Sequence, residues 1–441
     1  MYITSKTERR ASRHASQQIR SHFSAFRRSQ LCGSERSCSR IILLLGSSEC
    51  GKRLQLMSIQ LHNLKMNSIK EIYGSGKPAW WRRHPMALQI GTTISCNIAY
   101  FTDAGFTRKA ATLSMILLGG ASLYCFFNRQ RKINMRDLIV ITGCNSGLGY
   151  SLAMHCRAKG ATVLAGVREI SALPNSIAAM ESLKKKGIIV HQLDITNEQS
   201  TRDFRDKVTS LLKERQLTLR ALVNNAGVMV FGEFEWQTSN LAEHQVNVNL
   251  LGTMRITREM MPILRENHSR IIVISSHCAD EPLPGVSIYG ATKAALQAWI
   301  TAVRVEVDKY NIEVVSFIPG GFITESNIMK RTRLHFDEML EYMPDEAKRF
   351  YGNYFTRYAE YFSSVSAVCP GNEGNVKVLT EPKIYKIFDN ALLDVYPSAV
   401  YRYESWRYFF YRILFKTTST WMRDRLVQRF VAMPPWKTNE Q

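Results

Sequence analysis

Acidic residues are scarce at the front of this sequence. Residues 1–133 hold 21 Lys and Arg against 5 Asp and Glu, which is +16 of a total formal charge of +21. The rest of the chain carries only +5. A nucleic-acid-binding domain would show its basic face on the folded body. Charge confined to a leader points instead to targeting or to attraction by a membrane surface, and no nucleic-acid partner is expected. Cysteine pairing is absent as well. The nine cysteines are scattered, with no Cys-x-x-Cys pair and no His at zinc-finger spacing. That argues against a disulfide framework or a structural metal and for reduced thiols in the cytosol or matrix. A hydroxyl is missing where it would count most. In IILLLGSSECGKR (41–53), Gly46, Gly51 and Lys52 have the spacing of a phosphate loop, but Arg53 stands where Ser or Thr would bind Mg²⁺. No strand–helix–strand unit follows it, so a nucleotide hydrolase is disfavoured and the stretch reads as leader.

Residues 1–75 are rich in Ser and Arg and have no long apolar periodicity. They read as a disordered or targeting leader: either a mitochondrial address or an extension ahead of a later start such as Met66. Residues 76–133 read as a hydrophobic anchor region. Within it, AATLSMILLGGASLYCFF (110–127) is uncharged, with Arg108 and Lys109 before it and Arg129, Arg131 and Lys132 after it. Eighteen such residues are just long enough to span a hydrocarbon core. Basic residues on both flanks leave the orientation open. A weaker apolar stretch at 86–101 allows a hairpin with it.

From Asp137 the text changes. DLIVIT (137–142), ATVLAGV (161–167), IIVHQL (188–193), LRALV (219–223), RIIVIS (270–275) and IEVVSFI (312–318) are short continuous apolar runs, as buried parallel strands are. Segments 147–159, 198–215 and 289–310 between them have helical length and period. The expectation is a doubly wound α/β fold with a parallel sheet over 134–325.

Two clusters of residues carry chemistry. TGCNSGLGYS begins at Thr142 and supplies Gly143, Gly147 and Gly149 after the first strand and before a helix, the setting in which backbone N–H groups meet a pyrophosphate. Tyr289 and Lys293, in YGATK, stand four residues apart at the start of a helix and so share a face. An ammonium beside a phenol favours the phenolate, which would fit the pair for proton exchange with a substrate hydroxyl.

Further motifs stand in order around them: NNAG at 224–227, VNLLG containing Asn249, ISS ending at Ser276, and Pro319-Gly320 with Thr324 downstream. In this set and spacing the sequence resembles the short-chain dehydrogenase/reductase family, whose Rossmann fold and reaction it is then expected to share. The resemblance implies Tyr289 as general acid or base, Ser276 as the hydrogen-bond donor to the substrate oxygen, Lys293 on the nicotinamide ribose and Asn249 holding a relay water. Ser275 is the fallback for Ser276. It also implies a cofactor site formed by Thr142, Gly143, Asn145, Ser146, Gly147, Leu148, Gly149, Arg168, Asp194, Ile195, Asn225, Ala226, Gly227, Tyr289, Lys293, Pro319, Gly320 and Thr324. With all four catalytic residue types present, a non-catalytic dinucleotide-binding scaffold is disfavoured.

NAD(P) is the expected cofactor. An acid at the end of the second strand would favour NAD, but Val167 is neutral and Arg168 follows it, which suits a 2′-phosphate. Less general features, AGV, LDIT, PGGFIT and FYGNYF, resemble the branch of type 2 17β-hydroxysteroid dehydrogenase, retinol dehydrogenases and 3-hydroxybutyrate dehydrogenase. That branch mostly uses NAD and acts on lipophilic alcohols at intracellular membranes, many members in the endoplasmic reticulum and one in mitochondria. NAD versus NADP therefore stays open, as do a small hydroxy acid in place of a steroid-like or retinoid-like substrate, and a homodimer. Residues 326–441 are expected to form a substrate lid and a tail. Within them YRYESWRYFFYRILFK (401–416) interleaves aromatics with Arg402, Arg407, Arg412 and Lys416. It suits either a membrane surface or packing on the enzyme body.

Overall fold

The computed structural model describes residues 120, 129–168, 174–321, 327–367, 377–431 and 433–437. The leader, the stretch 110–127 apart from Gly120, the Gly51–Lys52 pair and Thr324 lie outside the described residues. Among the described residues, no helix is long and apolar enough to cross a membrane.

Six strands appear where continuous apolar runs predict them: β1 (Asp137–Thr142), β2 (Thr162–Val167), β3 (Ile189–Gln192), β4 (Thr218–Asn224), β5 (Arg270–Ile274) and β6 (Glu313–Ile318). All pair in parallel, and the sheet order is β3-β2-β1-β4-β5-β6-β7. The seventh strand, β7 (Val400–Arg402), comes from the C-terminal segment expected to lie beyond the sheet. At three residues, one of them buried, it is too short to show a period, and only the exposed edge of β6 makes it a strand.

The helices between strands are α1 (Gly147–Ala158), α2 (Pro174–Lys185), α3 (Glu198–Glu214), α4 (Ser239–Val246), α5 (Thr253–Glu266) and α6 (Ser287–Val307). Side chains of one strand alternate between two cores. Ile139 and Ile141 pack with Leu152 and Leu183 on one face, and Leu138 and Val140 with Phe204, Ile256 and Ile300 on the other. Asn197 caps α3 by accepting a hydrogen bond from the Ser200 backbone N–H. The chain order 3-2-1-4 reverses direction between β1 and β4, and a crevice opens at the C-terminal ends of those two strands.

Beyond β6 come α7 (Thr332–Tyr342) and α8 (Asp345–Ala367), bent at Gly352, then α9 (Pro382–Leu393), α10 (Trp406–Thr417) and α11 (Thr420–Phe430). The first two enclose a third core in which Trp236 meets Tyr351, Tyr354, Phe355 and Tyr358 edge-on, with centroids 5.0–5.7 Å apart. α9 packs Phe388 against Phe317 of β6. A buried ion pair, Arg270 with Glu313, joins β5 to β6, and Arg270 also donates to the carbonyls of Ala391 and Asp394 at the end of α9. The C-terminal segment thus completes the sheet as well as covering it.

Candidate active site

The glycine-rich turn leaves β1 and enters α1 with little room to spare. Gly147 sits at φ 58°, in the left-handed region that favours glycine. A Cβ on Gly149 would lie 2.3 Å from Asn225 Nδ2 and 2.4 Å from the Gly143 carbonyl oxygen. The turn is tied to the end of β4 through the side chains of Thr142 and Asn225. Asn225 N–H and Ala226 N–H both donate to Thr142 Oγ1, each at 3.0 Å. Asn225 Nδ2 donates to the carbonyls of Thr142 (2.9 Å) and Gly143 (3.1 Å). Ser146 precedes α1 without capping it through its side chain, so the first N–H groups of the helix face the cleft uncapped by a side chain. Free helix N–H groups, a backbone without side chains and a crevice at the switch point fit the pyrophosphate of a dinucleotide.

The cleft, about 390 Å³, runs from this turn along the strand ends to the start of α6. Seventeen of the expected cofactor and catalytic residues line it, among them Asn145, Ser146, Leu148, Arg168, Asp194, Ile195, Gly227, Pro319 and Gly320. Arg168 follows β2, its N–H donating to Asn145 Oδ1 at 3.0 Å. Asp194 Oδ1 accepts from both the N–H and the hydroxyl of Thr196, at 2.8 and 2.6 Å, which fixes the loop after β3. Thr142 and Asn249 act from behind the cleft wall.

Tyr289 and Lys293 lie on the buried face of α6, at 7% and 5% exposure, with Lys293 Nζ 5.8 Å from the Tyr289 ring centre. Lys293 Nζ donates to the Ile274 carbonyl at 3.0 Å. Ser276 follows β5, accepts from the Cys278 N–H at 3.2 Å and lies beside the Tyr289 phenol. Its neighbour Ser275 also lines the cleft, but its hydroxyl is buried without a partner. Burial pushes the Tyr289 phenol above its ordinary value and the Cys278 thiol adds to this, while the Ser276 hydroxyl pulls it back. Burial also brings the Lys293 ammonium down to about 8. In the protein alone, then, desolvation rather than the neighbouring lysine dominates the phenol, against the expectation from spacing.

Asn249 sits in a π-helical turn, Asn247–Gly252, between α4 and α5. Its Oδ1 accepts from the Val228 N–H at 2.8 Å, and its Nδ2 donates to the Val228 carbonyl at 2.9 Å and to Thr292 Oγ1 at 3.1 Å. A Cβ on Gly227 would lie 3.3 Å from Asn249 Oδ1 and 3.7 Å from Lys293 Nζ, so both side chains converge behind that glycine.

Sequence reasoning missed the far wall. His277, beside Ser276, is 6% exposed, lines the cleft and stacks on Tyr408 of α10 at 4.7 Å. Its Nδ1 is 3.8 Å from Glu281 Oε2, and the Tyr403 backbone also interacts with the ring. Burial, then the Arg402 charge, lowers its pKa. Burial raises Glu281 to about 7 against the pull of Arg402. The only trace of this wall in the sequence was a histidine directly after the serine of ISS, a pattern with no periodicity to mark it.

The short chain dehydrogenase family model matches residues 137–334, the span that builds the turn, the serine and the Tyr–Lys pair. Mouse D-beta-hydroxybutyrate dehydrogenase, a mitochondrial protein, is 30% identical over 52% of this chain and 67% of its own length. Mouse estradiol 17-beta-dehydrogenase 2 is 34% identical over 50% of this chain and 60% of that enzyme. Mouse retinol dehydrogenase 7 is 28% identical, covering 66% of this chain and 88% of that one. The parallel sheet, the glycine turn at its switch point and these matches agree: the chain belongs to the short-chain dehydrogenase family and is an NAD(P)-dependent oxidoreductase acting on CH–OH groups.

Proposed function

We propose that the chain interconverts a lipophilic alcohol, steroid-like or retinoid-like, and its ketone or aldehyde, with Tyr289 as the acid/base. The observation that carries this reading is the position of the Tyr289 phenol, beside Ser276, where the glycine turn's cleft meets apolar walls that include Met229, Leu283 and Ile328. The cofactor supplies or takes the hydride at the substrate carbon. In the reducing direction Tyr289 Oη gives its proton to the substrate oxygen, and Ser276 Oγ donates a second hydrogen bond to that oxygen as charge develops there. Lys293 would hold the ribose hydroxyls of a bound nicotinamide cofactor. With its ammonium at about 8, it can pass a proton near neutral pH. Asn249 anchors the water that would resupply it. Arg168, following β2, favours NADP through its charge, while the branch resemblance favours NAD. The apolar walls, the estradiol and retinol dehydrogenase relatives and the stretch 110–127 together support an endoplasmic reticulum membrane setting, with a mitochondrial membrane as the alternative.

A second reading, oxidation of a small hydroxy acid, is favoured by one feature: the His277 ring lines the cleft beside Ser276, where a carboxylate could meet it. A substrate panel run with both NAD and NADP separates the two. Turnover of steroids or retinoids is expected; turnover of 3-hydroxybutyrate alone would replace the first reading with the second. Turnover unchanged in Tyr289→Phe would remove the catalytic assignment altogether.

A further inference from the structure

Helix α10 has two apolar faces. Tyr408, Tyr411 and Phe415 turn inward: Tyr408 lines the cleft, and Tyr411 and Phe415 pack on Phe430 of α11, at 4.6 and 6.1 Å. Arg407 lies over the same Phe430 ring at 4.7 Å, and Arg412 Nε meets Glu404 Oε1 at 2.8 Å, so this side is fully engaged. The other side carries Trp406, Phe409, Phe410, Ile413 and Leu414, exposed by 75, 37, 56, 41 and 40%. Positions i, i+3, i+4, i+7 and i+8 make one continuous stripe along the helix, facing solvent where a water-facing surface would be polar. Trp406 stacks on Phe410 at 5.7 Å, so the stripe is already assembled. The next helix exposes Trp421 by 62% and Met422 by 41%.

The charges around the stripe identify its partner. Residues 406–430 contain Arg407, Arg412, Lys416, Arg423, Arg425 and Arg429 against Asp424 alone. Of these, Arg407, Lys416, Arg423, Arg425 and Arg429 are exposed. A second copy docked on itself through this face would bring like charges together. An anionic surface with an apolar interior complements it instead, and exposed Trp among Arg and Lys suits the headgroup boundary. We infer that the outer face of α10 lies in the surface of an anionic phospholipid bilayer, so that a single helix closes the substrate cleft with one side and rests on lipid with the other.

The test uses the full chain reconstituted into vesicles of zwitterionic or mixed anionic lipid carrying brominated acyl chains. Tryptophan emission is compared between the wild type and Trp406→Phe. The expected result is quenching in anionic vesicles that Trp406→Phe largely removes and that weakens as salt rises, together with slower amide exchange over 406–417 than in zwitterionic vesicles. An emission component from Trp406 that brominated lipid leaves unquenched overturns the inference. So does cross-linking of Phe410→Cys to a second copy with Trp406 still unquenched. The readout needs no substrate, so it is decided separately from the catalytic assignment.

Discussion

Around Gly143–Gly149 the cleft wall is backbone held by one threonine hydroxyl and one asparagine amide. Around His277 and Tyr408 it is side chain on side chain, and Glu281 Oε1 and the Ser275 hydroxyl are buried without hydrogen-bond partners. Buried polar atoms in a folded protein are nearly always paired, so unpaired ones at a cleft mark where a ligand or water completes the site. The glycine end takes its shape from hydrogen bonds within the chain. The aromatic end is built of side chains that α10 brings from far along the chain.

The largest expected effect falls where the two ends meet. Tyr289→Phe should lower turnover by roughly 10²–10⁴-fold, the usual weight of a positioned acid/base, with circular dichroism unchanged; a loss under tenfold would remove Tyr289 from the chemistry. At the glycine end, Gly149→Ala forces a Cβ against Asn225 and the Gly143 carbonyl. Overpacking of this kind costs about 1–3 kcal/mol, read as a lower denaturant midpoint together with weaker nucleotide binding. If affinity held while stability fell, the turn would be structural only. Arg168→Leu should cost about tenfold in NADP affinity, the scale of one charge-assisted contact, and leave NAD binding unchanged; equal losses for both nucleotides would make it a general surface charge.

The smallest effect is expected at the aromatic end and depends on pH. Glu281 is held at about 7 in the fold against a lower value in the unfolded chain. The folded state therefore keeps its proton longer, and the associated stability is present at low pH and lost as pH rises through about 7. Glu281→Gln should raise unfolding stability near pH 8 by an amount on the order of 1 kcal/mol, read as a higher thermal midpoint, and change it little near pH 4. The opposite sign would mean that the carboxylate is ionised and paired.

The same contrast governs what could be read from the sequence. Six strands were legible because strands covered on both faces are apolar throughout, as in DLIVIT and EVVSFI. The glycine turn and the Tyr289–Lys293 pair were legible because local spacing alone brings their groups together. β7 was not, because three residues hold no period and its strand character comes from pairing with β6 across some eighty residues of chain. The π-helical turn at Asn249 was also hidden, since its hydrogen bonds to Val228 and Thr292 are tertiary. His277 gains meaning only from Tyr408, far along the chain.

That pairing of β6 with β7 also has a consequence for how the protein is made. The backbone near Arg129 and Arg131 bonds to Val395 and Leu393, and Arg270 reaches the carbonyls of Ala391 and Asp394. A chain emerging from the ribosome holds β1 to β6 long before it holds these partners. Until residues 391–402 appear, β6 presents an unpaired edge and Arg270–Glu313 lacks its cover, the condition under which nascent sheets aggregate. The last strand is therefore a timer: termination after β6 but before residue 391 should give insoluble product, however complete the catalytic residues upstream.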